Sequence, residues 1–169
     1  EVGSTIQLYA NAVAMAAVTA TAGADGTWTS ADASLGEGTW SITARATDPA
    51  GNTSDASTGL SLEVDTTGPA TAPSILKPMQ GANTGTQLKP TFTWTAVAGA
   101  ARYDFQVDTD AAFAAPQTIS LSDYDGTSHT PASDLGVSTS QPVGRRYYLR
   151  VRAADAAGNR GAWSHAGMY

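Results

Sequence analysis

One polar pattern occurs twice in this chain: an aspartate followed three and four residues later by glycine and asparagine. It stands in ATDPAGNTS (residues 46–54) and again in AADAAGNRG (residues 153–161). Each copy brings a carboxylate and an amide close together in sequence, through Asp48 and Asn52 in the first and Asp155 and Asn159 in the second. Carboxylate and amide oxygens are calcium ligands. The same residue types also close hairpin turns, so both kinds of chemistry are open.

The turn interpretation explains every residue type in the pattern. Asp48 suits the first position of a type I turn, Pro49 the second, and Gly51 the fourth, where a left-handed backbone closes the hairpin. The aspartate carboxylate would accept backbone N–H groups within the turn, and the following asparagine would do similar work. On this interpretation the two copies are structural corners.

Two arginines, Arg150 and Arg152, share one face of a predicted strand because side chains alternate along a strand. Across neighbouring strands they would meet Asp104, Gln106 or Asp108. Surface ion pairs of this kind contribute only about 0–1 kcal/mol each. The functional alternative is an anionic or glycan ligand, for which the candidate binding residues are Tyr124, Tyr148, Arg150 and Arg152.

Two other acidic segments, DTD (residues 108–110) and DYDG (residues 123–126), are similar to parts of calcium loops. Both lack the further ligand spacing and the closing glutamate of an EF-hand. We predict that both are solvated turns.

Enzyme chemistry has few residues to use. His129 and His165 belong to no metal motif, and the sequence has neither a Gly-x-Ser-x-Gly elbow nor a glycine-rich phosphate loop. Cysteine is absent, which excludes disulfides and thiolate metal sites. We therefore predict that the protein is not an enzyme.

Alternation of apolar and polar residues is the dominant pattern along the chain, and it predicts short strands. It is clearest in TWSITARATD (residues 39–48) and in RYYLRVRAAD (residues 146–155), each of which directly precedes or enters one of the two turns. The segment AVAMAAVTATAG is rich in alanine, but its valines and threonines favour a strand over Val13–Thr21. Further strands are predicted at residues 5–9, 27–30 (around a core Trp28), 59–64, 91–95, 103–107, 118–121 and 162–166.

The chain of 169 residues is predicted to form two small all-β domains. The proline-bearing stretch VDTTGPATAPSILKP ends a strand, and its prolines favour a stiff, extended connection. We place the first domain at residues 1–66, a linker at 67–73 and the second domain at 74–169. Both are predicted to be β-sandwiches of the immunoglobulin kind, because many short strands alternate with turns.

The net charge of −6 is uneven. Before Pro69 eight acidic residues face one arginine, a net charge of −7, and after it seven acidic residues face eight basic ones, a net charge of +1. This distribution argues against nucleic acid or an anionic membrane as a partner and permits divalent cations. No apolar stretch approaches the roughly 20 residues of a membrane span.

The first half resembles the bacterial immunoglobulin-like repeats of large surface adhesins. The segments that carry the resemblance are GSTIQLYAN, ADGTW, LGEGTWSITARATDPAGNTSDAS and LEVDTTGP, in this order. Such repeats usually have an additional strand ahead of GSTIQLY, where only Glu1 and Val2 stand here. Either that strand lies upstream, or another chain completes the edge that it would fill.

The second half looks like a fibronectin type III-like module of bacterial extracellular proteins. The matching segments are PTFTWTAVAGAARYDFQVDTDAAF and YYLRVRAADAAGNRGAWS. The resemblance implies that the core or a stacking ladder is formed by Trp94, Tyr103, Phe105, Tyr147 and Trp163.

Adhesin repeats of this kind often bind calcium where two domains meet. In an immunoglobulin-like sandwich the hairpin before the last strand lies at the pole that faces the preceding domain. The resemblance therefore implies a calcium site for which Asp65 would join Asp155 or Asn159, while Asp48 and Asn52 would face a module upstream of Glu1.

The resemblances imply a non-catalytic spacer in the stalk of a bacterial adhesin or surface filament, located outside the cell or on its surface. Its expected partners are neighbouring domains of the same parent chain, a second copy that exchanges a strand, and a glycan or another surface ligand. The alternative is a carbohydrate- or protein-binding accessory module of a secreted polysaccharide-degrading enzyme.

Overall fold

The computed structural model describes residues 1–79, 87–114, 116–136, 145–164 and 167–168. The regular structure in these residues is entirely β-strand, and the paired strands are antiparallel. The chain divides into two compact units, Glu1–Asp65 and Thr66–Tyr169.

The first unit contains a four-stranded sheet in the order β2-β1-β3-β4. Its strands are β1 (Thr5–Ala10), β2 (Val13–Thr21), β3 (Gly38–Thr47) and β4 (Leu60–Val64). The central pairing aligns Ile6 of β1 with Ala46 of β3. The strand predicted over the alanine-rich segment is confirmed as β2. Its β-branched residues suit a pleated, half-buried surface.

The described core of the first unit contains few side chains, and none of them is aromatic. Its buried apolar residues are Ile6, Ala10, Val18 and Ala22. The predicted apolar face of β3 is present, because Trp40 lies opposite Leu62 on β4 and Ile42 lies opposite Ala10 on β1.

The predicted strand at residues 27–30, with a core Trp28, is wrong. The structure has no strand there, and 40% of Trp28 is exposed. Local hydrogen bonds hold this segment in a turn instead. The Asp25 carboxylate accepts the Thr27 backbone N–H at 3.1 Å and the Thr27 hydroxyl at 2.7 Å. The Gly23 N–H donates to the Thr27 carbonyl at 2.8 Å. A turn closed on itself in this way competes with strand pairing.

The second unit contains two sheets. One is four-stranded with the order β11-β10-β7-β8, and the other is three-stranded with the order β5-β6-β9. The strands are β5 (Ile75–Lys77), β6 (Phe92–Trp94), β7 (Arg102–Asp108), β8 (Ile119–Tyr124), β9 (Ser128–His129), β10 (Tyr148–Ala154) and β11 (Gly167–Met168).

The two sheets pack through an aromatic core. Trp94 of the smaller sheet stacks on Phe105 of the larger one, with ring centroids 5.1 Å apart and an interplanar angle of 14°. Phe92 lies 5.3 Å from the same Phe105 ring. The predicted alternation along β10 is confirmed, because Tyr147, Leu149, Val151 and Ala153 are all buried.

The predicted strand at residues 162–166 is wrong over residues 162–164, and residues 165–166 lie outside the described part of the chain. Ser164 does bond to β10: its backbone N–H donates to the Val151 carbonyl at 2.7 Å. The return bond runs from Val151 N–H to the Ser164 hydroxyl oxygen at 3.0 Å. The Ser164 hydroxyl thus accepts the bond that a backbone carbonyl would accept in a regular strand pair, and the described strand that pairs with β10 is Gly167–Met168.

The segment that enters the second unit packs closely against the residues after the second turn. A Cβ atom on Gly161 would collide with the Pro69 carbonyl oxygen, and one on Gly68 would lie 2.6 Å from the Arg160 carbonyl carbon. Only glycine allows two backbones to approach this closely.

The predicted all-β fold class is confirmed, and the two sheets of the second unit pack face to face as a β-sandwich. The described residues contain no helix of the length and apolar character that crossing a membrane would require.

Candidate functional site

The two aspartate turns have the same geometry. In the first, Gly51 N–H donates to the Asp48 carbonyl at 3.0 Å, and Asp48 N–H donates to the Asn52 carbonyl at 2.9 Å. In the second, the corresponding bonds of Gly158 and Asp155 measure 3.3 and 3.1 Å. Gly51 and Gly158 have φ angles of 92° and 93°, in the left-handed region that favours glycine. The predicted hairpin turns are confirmed.

Each aspartate side chain is held by the asparagine four residues later. The Asp48 carboxylate accepts the Asn52 backbone N–H and its side-chain amide, both at 2.8 Å. The Asp155 carboxylate accepts the same two groups of Asn159 at 2.9 and 3.1 Å. Both oxygens of each carboxylate therefore have a hydrogen-bond donor within the turn.

These bonds lower the pKa of both carboxyl groups. For Asp48 the side-chain bond from Asn52 is the main cause, followed by its backbone bond. For Asp155 burial acts to raise the pKa, but the backbone and side-chain bonds from Asn159 outweigh it, and the pKa falls. Hydrogen bonds that favour the charged form have this effect.

A calcium ion at either turn would need oxygens from outside the turn, because calcium takes six to eight of them. Within the described residues no group of three acidic or histidine side chains could hold a metal ion. The predicted set combines carboxylates with the amides of Asn52 and Asn159, so calcium binding here stays a prediction. Asp65, the remaining predicted ligand, is the last residue of the first unit.

The arginines of β10 form a stacked ladder with aromatic rings. The Arg150 guanidinium carbon lies 4.3 Å from the centroid of the Phe113 ring and 4.4 Å from that of Trp163. The Arg152 guanidinium carbon lies 4.5 Å from the Trp163 ring. Trp163 is thus a member of the stacking ladder that the sequence predicts.

The predicted cross-strand pairing of the two arginines is also confirmed. Arg150 Nε donates to Gln106 Oε1 at 2.8 Å, and Arg152 Nε donates to Asp104 Oδ2 at 2.8 Å. Asp108, the third predicted partner, is buried, and its carboxylate accepts the Thr109 backbone N–H at 2.7 Å.

Asp104 is the centre of an ion-pair network. It is only 3% exposed, and it accepts Arg152 Nε and Arg160 Nε on Oδ2, at 2.8 and 2.9 Å, and the Asp123 backbone N–H on Oδ1 at 3.1 Å. Burial acts to raise the pKa of Asp104, but these three hydrogen bonds outweigh it, and the pKa is lowered. Arg160 also pairs with the Asp123 carboxylate at 3.1 Å.

The candidate ligand-binding residues do not form one cluster. Tyr148 lies on the same face of β10 as Arg150 and Arg152, because residues two apart share a face. Tyr124 lies on the core side of its sheet, where its ring is 6.2 Å from Trp94 and its hydroxyl donates to the Ser128 carbonyl at 2.8 Å.

The sequence reasoning missed two members of these networks, Arg160 and Phe113. Arg160 directly follows the second turn and pairs with Ala154 of β10. Its position after a predicted hairpin turn was therefore the sequence feature that could have placed it beside the charged residues of β10. Phe113 lies in a loop with a φ of 52°, and no periodic pattern marks it.

Of the two histidines, His129 is described and lies in the second unit beside aromatic rings. Its ring is 5.8 Å from Phe105 and 5.6 Å from Tyr124. Burial lowers the pKa of this imidazole. His165 lies outside the described residues.

Comparison with known proteins identifies the first unit. Residues 1–66 match the family model of the bacterial Ig-like domain. No curated protein matches the chain. The first unit is therefore a bacterial Ig-like domain, and the resemblance predicted from its sequence is confirmed.

Two solved structures are similar to the chain as a whole. Fibronectin(III)-like modules of CbhA from Clostridium thermocellum align over 96% of this chain and 75% of that one, with a TM-score of 0.46 and 15% identity. A Ca²⁺-stabilised adhesin that helps an Antarctic bacterium bind ice aligns over 99% of this chain, with a TM-score of 0.47 and 18% identity. This chain spans 39% of the length of that adhesin chain.

Proposed function

We propose that the chain is a pair of non-catalytic β-sandwich modules that act as a spacer in a bacterial surface adhesin or surface filament. The observation that carries this proposal is the family match over residues 1–66, to a bacterial Ig-like domain. The proposed location is extracellular or on the cell surface.

An internal deletion tests this proposal. In the bacterium that makes the parent protein, residues 1–169 would be removed and the distance from the cell envelope to a distal epitope measured by immunogold electron microscopy. A spacer predicts a shorter distance with the epitope still displayed. An unchanged distance would contradict the proposal.

Calcium stiffening is the finer part of the proposal. The carboxylate and amide oxygens of Asp48 with Asn52 and of Asp155 with Asn159 are of the kind that calcium prefers, and Asp65 adds a carboxylate. The additional oxygens would come from backbone carbonyls, water or a neighbouring module. Differential scanning calorimetry with and without a saturating excess of calcium tests the site, and magnesium serves as the control. Calcium is expected to raise the Tm, and equal Tm values with and without calcium would argue against the site.

Strand exchange with a second copy is the filament variant. The edge strands of the first sheet are β2 and β4, and Leu60 of β4 is 66% exposed. An edge strand with exposed backbone groups and apolar side chains is suited to pairing with another chain. Sedimentation equilibrium at high concentration distinguishes the variants, because a clean monomer would eliminate exchange.

The alternative, a glycan-binding accessory module, is favoured by one specific observation. The larger sheet of the second unit carries aromatic and arginine side chains together on one face, around Arg150 and Trp163. A glycan array would test it broadly, and absence of binding would leave the spacer proposal in place.

A further inference from the structure

Arg150 is held in an environment that fixes its position and leaves its charge without a carboxylate partner. Its guanidinium lies between two rings, 4.3 Å from Phe113 and 4.4 Å from Trp163. Its Nε donates to a neutral acceptor, Gln106 Oε1, at 2.8 Å. Among the described residues no acidic side chain forms a salt bridge with Arg150.

Gln106 is itself held in place, which fixes the arginine further. Its side-chain amide donates to the Ser120 hydroxyl of β8 at 3.3 Å. The Arg150 guanidinium is therefore oriented by two stacked rings and by one amide that has its own anchor. A rigid, planar guanidinium of this kind is suited to bidentate recognition of a carboxylate or sulfate.

The neighbouring arginine adds positive charge to the same face. Arg152 shares the Trp163 ring with Arg150, at 4.5 Å. Its Nε bonds to Asp104, but that one carboxylate oxygen also serves Arg160. Arg152 and Arg160 thus use the carboxylates of Asp104 and Asp123. Asp108, a third carboxylate on this side of the sheet, is buried and accepts the Thr109 backbone N–H, so it forms no salt bridge with Arg150.

The electrostatic state of Arg150 agrees with this geometry. Burial, and next the positive charge of Arg152, lower its pKa. A bound anion would offset the second of these causes, the repulsion between the two arginines.

We propose that this face of the second unit, made of Tyr148, Arg150, Arg152 and Trp163, binds an acidic polysaccharide through the carboxylate of a uronic acid residue. The terminal N–H groups of Arg150 and Arg152 hold the carboxylate. Tyr148 lies two residues before Arg150 on the same face and is half-buried, so its ring provides an apolar surface for the sugar. The proposal rests on the glycan-binding alternative and names its ligand class, whereas the spacer function needs no ligand and is tested separately by the deletion.

The experiment uses the full chain and an oligogalacturonate of about ten sugars as the probe, with binding measured by isothermal titration calorimetry. Arg150→Gln is expected to weaken binding by at least about tenfold, because the variant loses both the charge and the charge-assisted hydrogen bonds of the guanidinium. The matched control is Arg45→Gln, which removes an equal charge from an exposed arginine of the first unit and is expected to leave the affinity unchanged. A neutral galacto-oligosaccharide of the same length is expected not to bind.

A second measurement needs no variant and protects the test against a folding defect in Arg150→Gln. In ¹H–¹⁵N spectra of the unmodified chain, the Nε–H signals of Arg150 and Arg152 are expected to shift as the uronate is added, while that of Arg45 stays in place. The proposal is overturned if binding is not saturable, if Arg150→Gln binds as tightly as the unmodified chain, if the neutral sugar binds equally well, or if the Arg150 and Arg152 signals do not move.

Discussion

Asp48 and Asn52 close their turn on each other, because the carboxylate of one accepts both the backbone N–H and the side-chain amide of the other at 2.8 Å. Asp155 and Asn159 repeat this arrangement in the second unit. The repeated sequence pattern is thus a repeated structural corner, and its stability depends on one negative charge facing one neutral amide.

Asn52→Asp would place a second negative charge where the amide now donates. We expect a lower Tm than that of Asn52→Ala at pH 7, since Asn52→Ala loses only the side-chain bond and adds no charge. The difference between the two variants should shrink as the pH falls towards about 4 and the carboxyls become protonated. Thermal melting by circular dichroism at both pH values measures it, and equal Tm values at pH 7 would show that the carboxylate does not depend on this amide.

Gly51→Ala is expected to lower the free energy of unfolding by about 1 kcal/mol, because an L-residue is strained at positive φ. The φ of Gly51 is 92°, and no atom lies within 4 Å of the position of the added Cβ, so backbone strain is the only direct cost. Gly36→Ala is the matched control, since its Cβ also meets open space and its φ is not in the left-handed region. Urea denaturation should show Gly36→Ala as neutral or slightly stabilising; equal losses for both variants would contradict the turn geometry.

Asp104→Asn is expected to destabilise the second unit by about 2 kcal/mol, because it leaves Arg152 and Arg160 without the buried carboxylate that both contact. This value lies below that for a fully buried pair, since the two arginine side chains are 29% and 35% exposed. The control is Asp125→Asn, which removes an exposed carboxylate 3.6 Å from Arg102 and should change stability little. Urea denaturation measures both, and similar values for the two variants would argue against a central role for Asp104.

Protonation of His129 is expected to destabilise the second unit at acidic pH. Burial lowers its pKa in the folded state below 6.5, so the unfolded chain binds the proton more readily. Stability is therefore full above pH 6.5 and falls as the pH drops through the unfolded pKa towards the folded one. His129→Phe should remove this part of the pH dependence between about pH 7.5 and 5. A pH profile of His129→Phe identical to that of the unmodified chain would contradict the expectation.

Local features of the chain were predictable from its sequence. Type I turn chemistry is determined by four or five consecutive residues, so the Asp48 and Asp155 turns follow from their composition. The same holds for β10, where Leu149 and Val151 alternate with Arg150 and Arg152 over a full strand. The strands β9 and β11 have two residues each, which is too short for a periodic pattern.

Features that depend on distant residues were not predictable. Arg150 is enclosed by Phe113 and Trp163, which come from loops far apart in sequence, and only the folded chain brings them together. Tryptophans are usually buried, which favours a core position for Trp28, but the local bonds of Asp25 and Thr27 hold its segment out of the sheet. The Ser164 hydroxyl accepts the Val151 N–H in place of a backbone carbonyl. The alternation of apolar and polar residues gives no information about such a bond.

The spacer function is tested most directly by replacing the two modules rather than deleting them. In the parent protein, residues 1–169 would be exchanged for two unrelated β-sandwich domains of equal total length, and immunogold electron microscopy would measure the distance from the envelope to a distal epitope. A spacer predicts that the exchanged protein restores the original distance and display, since length and rigidity matter and side-chain identity does not. The account would be contradicted if the exchanged protein no longer displayed the epitope, or if the epitope lay as close to the envelope as it does after the deletion.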